Sequence, residues 1–73
     1  IGTKCNVGKN TIISAGCVLC SNVIISENVS LGVNVSIRDN IKISNDVIIG
    51  MGAVVVKDIS VAGKYVGNPA RKI

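Results

Sequence analysis

The chain contains no histidine, tryptophan or phenylalanine, and Tyr65 is the single aromatic residue among its 73 residues. The absence of histidine excludes catalytic centres that pair a histidine with serine or cysteine, as well as zinc sites built on histidine ligands. With one aromatic side chain there is no platform on which successive nucleic-acid bases could stack. The composition therefore argues against nucleic-acid binding and against histidine-dependent enzymes.

Long apolar runs and metal-binding cysteine patterns are also missing. No stretch of about 18 apolar residues that would span a bilayer occurs, and no signal-peptide pattern is present. The three cysteines, Cys5, Cys17 and Cys20, form neither a CxxC motif nor a zinc-ligand spacing. They are typical of small core residues in a reducing compartment. We therefore expect a cytoplasmic protein with no metal and no membrane segment.

Charge is unevenly distributed along the chain. The net charge is +4, and four of the eight basic residues, Lys57, Lys64, Arg71 and Lys72, lie near the C-terminus. Two interpretations are open at this point. The residues form either an ordinary solvated surface or a surface that attracts a small polyphosphate ligand.

What the sequence does contain is an unbroken repeat of six residues. A period of six fits neither a helix nor a plain strand, but it is typical of a parallel β-helix, in which each unit forms one short strand and one corner. An aliphatic residue opens every unit and should face inward: Ile1, Val7, Ile13, Leu19, Ile25, Leu31, Ile37, Ile43, Ile49, Val55 and Val61. A second, mostly apolar position follows four residues later: Cys5, Thr11, Cys17, Val23, Val29, Val35, Ile41, Val47, Ala53, Ile59 and Tyr65.

The fourth position of each unit is suited to a tight corner. Nine of its eleven residues are Asn, Asp or Gly, which accept a left-handed backbone conformation at low cost: Lys4, Asn10, Gly16, Asn22, Asn28, Asn34, Asn40, Asp46, Gly52, Asp58 and Lys64. Three corners close a triangle, so each residue should stack on the residue 18 positions later at about 4.8 Å. We predict an all-β chain with little or no helix. Residues 1–66 form about 3.5 triangular coils, and residues 67–73 form a C-terminal capping tail.

One edge of the predicted prism carries exposed apolar residues, whereas the outward positions of the other two edges are polar. We call Ile12, Val33, Ile48 and Met51 the apolar edge. An exposed apolar ladder marks a surface for a partner or a ligand, although scattered surface aliphatics are the alternative. A prism this thin also favours oligomerisation as a source of stability. The other residues expected beside the edge are Ala15, the small residues Ser14, Ser30, Gly32 and Gly50, and Val66 above Ile48.

The C-terminal third of the chain carries the most specific motifs. Residues 49–59 read IGMGAVVVKDI and residues 66–73 read VGNPARKI. Both resemble the segments that close the left-handed β-helix of hexapeptide-repeat acyltransferases that use acetyl-CoA. The stretch from Leu19 to Asp46 is similar to the branch that contains sialic-acid O-acetyltransferases and N-acetyltransferases of UDP-4-amino-sugars. The resemblance covers essentially the whole chain, which we expect to be the C-terminal part of a longer protein.

This resemblance implies a left-handed coil and a homotrimer of parallel prisms. It also implies that acetyl-CoA, the co-substrate, binds in a groove between neighbouring prisms. The implied acceptor is a sugar or a nucleotide sugar, acetylated on oxygen or on nitrogen. The residues that the resemblance assigns to coenzyme A are Ile12, Val33 and Met51 along the ligand, Gly32, Gly50 and Gly52 against the pantetheine arm, and Lys57, Arg71 and Lys72 toward the phosphates.

The sequence departs from the family at the catalytic base. In the family a histidine removes a proton from the acceptor as it attacks the thioester, and the histidine is followed by an acidic residue and a cysteine. These places fall on Thr3, Lys4 and Cys5 here, so we assign no catalytic residue. Either the base lies upstream of Ile1, or the chain is a catalytically impaired homologue. A non-catalytic trimerisation or scaffold segment is the alternative function.

Overall fold

The computed structural model describes residues 4–73, and within that range every regular element is a short β-strand. Ile1 and Thr3, which the repeat assigns to an inward and an outward position, lie outside the described residues. No helix long and apolar enough to cross a membrane occurs from residue 4 onward. The strands are β1 (Asn6–Val7), β2 (Ile12–Ile13), β3 (Val18–Leu19), β4 (Ile24–Ile25), β5 (Ser30–Leu31), β6 (Ser36–Ile37), β7 (Lys42–Ile43), β8 (Val47–Ile49), β9 (Val54–Val55), β10 (Gly63–Val66) and β11 (Arg71–Lys72).

The strands form three stacks, which we call sheets A, B and C, and every pairing is parallel except that of β10 with β11. Sheet A has the order β1-β4-β7, sheet B the order β11-β10-β8-β5-β2, and sheet C the order β3-β6-β9. Asn6 pairs with Ile24, which in turn pairs with Lys42, so from β1 to β9 each strand lies on the strand 18 residues away. The chain is thus a β-solenoid of about three turns, and the predicted parallel β-helix is confirmed. Its predicted left-handed turn stays a prediction, because these pairings are the same for either hand.

The core consists of the inward aliphatic columns. Along one column, Leu19, Ile37 and Val55 stack at successive coils and are almost completely buried. Val7 is exposed although it occupies an inward position, because it lies on the outermost strand of sheet A. No buried polar or charged residue occurs among residues 4–73. The fold therefore rests on apolar contact and on the hydrogen bonds between coils.

The predicted corner residues adopt the left-handed conformation in nine consecutive units. Every sixth residue from Lys4 to Gly52 has positive φ, with values from 56° at Asn10 to 75° at Gly16. Short amide and carboxylate side chains tolerate this conformation because they bond locally to the backbone. Lys4 is the one residue of this series that is neither a glycine nor a residue with such a side chain. The corner prediction is confirmed for these nine positions.

The last coil breaks the six-residue register, which the sequence pattern did not predict. Ile59 pairs with Ile43 and Tyr65 with Ile49, so this coil is 16 residues long instead of 18. Val61, predicted to be inward, is 55% exposed, whereas Ile59 is only 6% exposed. The predicted corners at Asp58 and Lys64 are also wrong, since neither has positive φ.

The shorter coil has a physical reason. It brings Tyr65 onto the core column above Ile49, and the tyrosine hydroxyl donates a hydrogen bond of 2.7 Å to the carbonyl of Val61. A buried tyrosine is stable when its hydroxyl has such a partner. In place of the lost corner, the Asp58 Oδ1 atom accepts a hydrogen bond of 2.9 Å from the Lys42 amide.

The C-terminal tail covers the open edges of two sheets. Strand β11 pairs antiparallel with β10 of sheet B, with Tyr65 opposite Lys72 and Val66 opposite Arg71. Before it, the Ala70 amide donates to the carbonyl of Val54, which lies on the last strand of sheet C. Exposed strand edges promote unwanted pairing, and natural sheets commonly cover them. The tail therefore protects this end of the solenoid.

Candidate functional site

The apolar edge lies on and beside sheet B, and all four of its residues are exposed. Ile12 on β2 is 62% exposed and Ile48 on β8 is 47% exposed. Val33 and Met51 follow β5 and the end of β8 at the next corner, with exposures of 41% and 79%. Sheet B also has five strands, against three in each of the other sheets. The outer face of the largest sheet thus carries Ile12 and Ile48, with Ser30 between them.

The shortened coil changes the upper part of this face. Lys64, not Val66, pairs with Ile48 and so continues the column that starts at Ile12. Val66 lies above Gly50 instead, which corrects the sequence-based placement. Lys64 therefore belongs to the outer face of sheet B. The six-residue repeat had predicted a corner at this position. A cation directly above the apolar edge is a feature that the sequence analysis missed.

The three glycines assigned to the pantetheine arm have reasons within the chain itself. A Cβ atom on Gly32 would lie 2.7 Å from the Met51 nitrogen, so the backbone of the next coil requires glycine there. Gly52 has a φ of 71°, and a Cβ atom there would meet no other atom within 4 Å. The left-handed corner conformation, and not close packing, therefore explains the glycine at this position. A Cβ on Gly50 would meet the Val66 side chain at 2.9 Å. Close packing between coils alone explains Gly32 and Gly50.

The Val33 backbone N–H group, at the corner next to the apolar edge, has no acceptor of the kind that pairs one N–H group at each of the other two corners. At those corners the next coil supplies a side-chain oxygen. Asp39 accepts from the Ser21 amide at 3.0 Å, and Asn45 accepts from the Glu27 amide at 2.8 Å. The equivalent residue above Val33 is Met51, which has no such acceptor. Within residues 4–73 the Val33 amide makes no hydrogen bond, so an exposed donor lies beside exposed apolar side chains.

The structure separates the three cations that were assigned to the phosphates. Arg71 and Lys72 lie on β11, at the end of sheet B. Arg71 is opposite Val66 and shares its outer face, whereas the Lys72 methylenes lie across Gly63. Lys57 lies on the segment that connects sheet C to sheet A. Within one protomer, therefore, Arg71 and Lys64 accompany the apolar edge, and Lys57 does not.

The segment that aligns with the acyltransferase catalytic motif contains no histidine. Thr3, at the histidine place, lies outside the described residues. Lys4 is an exposed corner residue with a φ of 58°. The Cys5 thiol donates to the carbonyl of Cys20 at 2.9 Å, as expected for a structural cysteine. From residue 4 onward, no group of three His, Cys, Asp or Glu residues is arranged to hold a metal ion.

Comparison with known proteins adds no family assignment. No protein-family model matches the chain, and no curated protein sequence matches it. The resemblance to acetyl-CoA-dependent acyltransferases therefore rests on the motifs of residues 49–59 and 66–73.

Proposed function

We propose that the chain is the C-terminal β-helix portion of an acetyl-CoA-dependent sugar O- or N-acetyltransferase that lacks its own catalytic base. In this proposal three copies associate as parallel prisms, and coenzyme A lies along the apolar edge between two of them. The observation that carries the proposal is the exposed ladder of Val33 and Met51 beside the unpaired Val33 amide. The terminal motifs support it independently.

The chemistry of the pantetheine arm fits this edge. The arm is thin and largely apolar, and its amide carbonyls accept hydrogen bonds. Val33 and Met51 offer apolar contact one coil apart, at a spacing of about 4.8 Å. The Val33 amide offers a donor, and Gly32 and Gly50 leave the neighbouring backbone without protruding side chains. An extended amide-containing ligand would therefore satisfy both the apolar and the polar groups.

The nucleotide end of coenzyme A carries several negative charges that need cations. Arg71 and Lys64 extend from the outer face of sheet B just above the apolar edge. Lys72 follows Arg71 on β11 and is opposite Tyr65. We assign these residues to the phosphates. Lys57 is on the other side of the prism, so we assign it to the wall that a neighbouring copy supplies. Attraction between exposed charges of this kind weakens as salt screens it.

Acyl transfer itself needs a group that this chain does not contain. The acceptor oxygen or nitrogen must attack the thioester carbonyl and give up a proton, while coenzyme A leaves as its thiolate. A threonine hydroxyl at position 3 is too weak to take that proton unaided. We therefore propose that the chain binds coenzyme A without transferring the acetyl group. A cytoplasmic location belongs to the same proposal.

Titration with coenzyme A tests the binding proposal. We expect dissociation constants between about 1 μM and 1 mM, or about −8 to −4 kcal/mol, with affinity falling as salt is raised. Arg71→Ala should weaken binding severalfold because it removes a phosphate contact. Lys9→Ala is the matched control, since it removes a cation from a corner near the opposite end of the solenoid. Equal effects of the two substitutions would contradict the phosphate assignment.

Restoring the base tests the chemical part of the proposal. The double substitution Thr3→His and Lys4→Glu rebuilds the family motif. Acetyl transfer from acetyl-CoA to an amino sugar or a sialic acid should then become detectable, because general-base catalysis contributes typically 10²- to 10⁴-fold. Lys4→Glu alone should remain inactive and serves as the control. Robust turnover by the unsubstituted chain would show that its base is another group.

A scaffold segment is the second candidate function. The missing histidine favours it, because an apolar edge and a capped solenoid are sufficient for assembly without catalysis. In that case the chain would form trimers but would show no saturable binding of coenzyme A. The titration described above therefore separates the two candidates.

A further inference from the structure

A concave region lies on the outer face of sheet A, apart from the apolar edge. It has a volume of about 310 Å³ and is bordered by Ile24, Ser26, Lys42, Ser44, Asp58 and Ser60. Asp58 and Ser60 come directly after the shortened corner and flank Ile59, which pairs with Ile43. The groove therefore occurs where the last coil departs from the regular repeat.

The polar side chains along this groove are mostly unused by the protein. The hydroxyls of Ser26, Ser44 and Ser60 make no hydrogen bond within residues 4–73. The Lys42 ammonium forms no ion pair within the same residues. Asp58 uses one carboxylate oxygen to accept from the Lys42 amide, which leaves the other oxygen available. Several donors and acceptors without internal partners thus lie along one depression, beside the isoleucines that also line it.

The equivalent positions on the other two sheets are different. On sheet B they hold Ser14, Gly32 and Gly50, and two of these three have no side chain. On sheet C they hold Cys20 and Arg38, followed by Val56. At these positions sheet A alone carries successive hydroxyls, Ser26, Ser44 and Ser60, although all three sheets derive from the same repeat. Solvation of an ordinary surface does not require this concentration of groups on one sheet.

We propose that this groove binds a single sugar ring. Its volume lies at the lower end of the range for small-molecule sites, and the serine hydroxyls can donate to and accept from ligand hydroxyls. The exposed part of Ile24 offers contact to the C–H face of the ring. The charges of Lys42 and Asp58 balance, and the Asp58 carboxylate disfavours a polyphosphate. The site is on a different sheet from the proposed coenzyme A edge, so it goes beyond that function and does not depend on it.

Ligand-observed NMR with methyl glucoside and N-acetylglucosamine as probes tests this proposal. With no aromatic residue in the groove, we expect weak saturable binding, with a dissociation constant on the order of 1 mM. Ser44→Ala should weaken binding about fivefold, as expected for a lost hydrogen bond. Asp58→Asn should also weaken sugar binding. The oxygen of the new side-chain amide can still accept the hydrogen bond from the Lys42 backbone N–H group, so the corner should remain intact. Ser36 is a half-buried serine on sheet C, and the Ser36→Ala variant should bind the sugars as the parent chain does.

Three results would overturn the sugar site. They are the absence of saturable binding by either sugar at tens of millimolar, unchanged binding by Ser44→Ala, and equal loss in Ser36→Ala. Titration of the Ser44→Ala variant with coenzyme A separates the two proposed sites, because the affinity of this variant for coenzyme A should equal that of the parent chain. Loss of sugar binding with coenzyme A binding intact would therefore concern this groove alone, and the reverse would concern the apolar edge alone.

Discussion

Ile59→Ala should lower the free energy of unfolding by about 2–5 kcal/mol, the usual cost of truncating a buried isoleucine. Ile59 is 6% exposed and pairs with Ile43, so its removal leaves a cavity at the end of the core. Val61→Ala should change stability by less than about 0.5 kcal/mol, because Val61 is 55% exposed. Urea denaturation followed by far-UV circular dichroism measures both differences.

The pair of substitutions discriminates between two registers of the last coil. An unbroken six-residue register predicts that Val61 lies in the column of Ile25 and Ile43, so that its truncation is costly. A coil of 16 residues puts Ile59 in that place. A large loss for Val61→Ala together with a small loss for Ile59→Ala would contradict the register of the structure.

Val33→Asp should prevent assembly of the proposed trimer. Burial of an unpaired carboxylate in an interface costs several kcal/mol, about 3–5 kcal/mol when a buried charge lacks its partner. Val33 lies at the centre of the apolar edge and is 41% exposed in the single chain, so the charge should be well tolerated in a monomer. Light scattering should show three copies for the parent chain and one copy for the variant.

Val18→Asp is the matched control for this experiment. Val18 is an exposed valine on the outer face of sheet C and is not part of the apolar edge. The same change of size and charge there should leave the trimer intact. A stable monomer of the parent chain, or equal dissociation of the two variants, would rule out assembly through the apolar edge.

Most of the fold could be predicted because the repeat encodes it locally. Residues such as Asn22 and Asn40 adopt the same corner conformation in each coil, and the aliphatic residue three positions later faces the core. The last coil could not be predicted by counting, since its length depends on tertiary packing. Tyr65 fills the column above Ile49 only if two residues are lost from the preceding corner. Aliphatic residues at both 59 and 61 made either register acceptable to the sequence pattern.

The candidate site was predictable only in part. The exposure of Ile12, Val33 and Met51 follows from strand alternation and corner position, which a sequence displays directly. The unpaired Val33 amide depends on what the next coil presents, and Lys64 entered the site through the shortened coil. The groove on sheet A also arises from the shortened coil, which places Asp58 and Ser60 beside it. These features result from contacts between coils, which a six-residue pattern does not specify.

The most direct test of the proposed function is the response of backbone amide NMR signals to coenzyme A. The proposal predicts concentration-dependent shifts of the Val33 and Met51 amides, with smaller effects at Arg71 and none at Ser44 on sheet A. Shifts that saturate with the affinity measured by titration would support binding along the apolar edge. No shift of the Val33 and Met51 amides at millimolar coenzyme A would contradict it, as would shifts confined to sheet A.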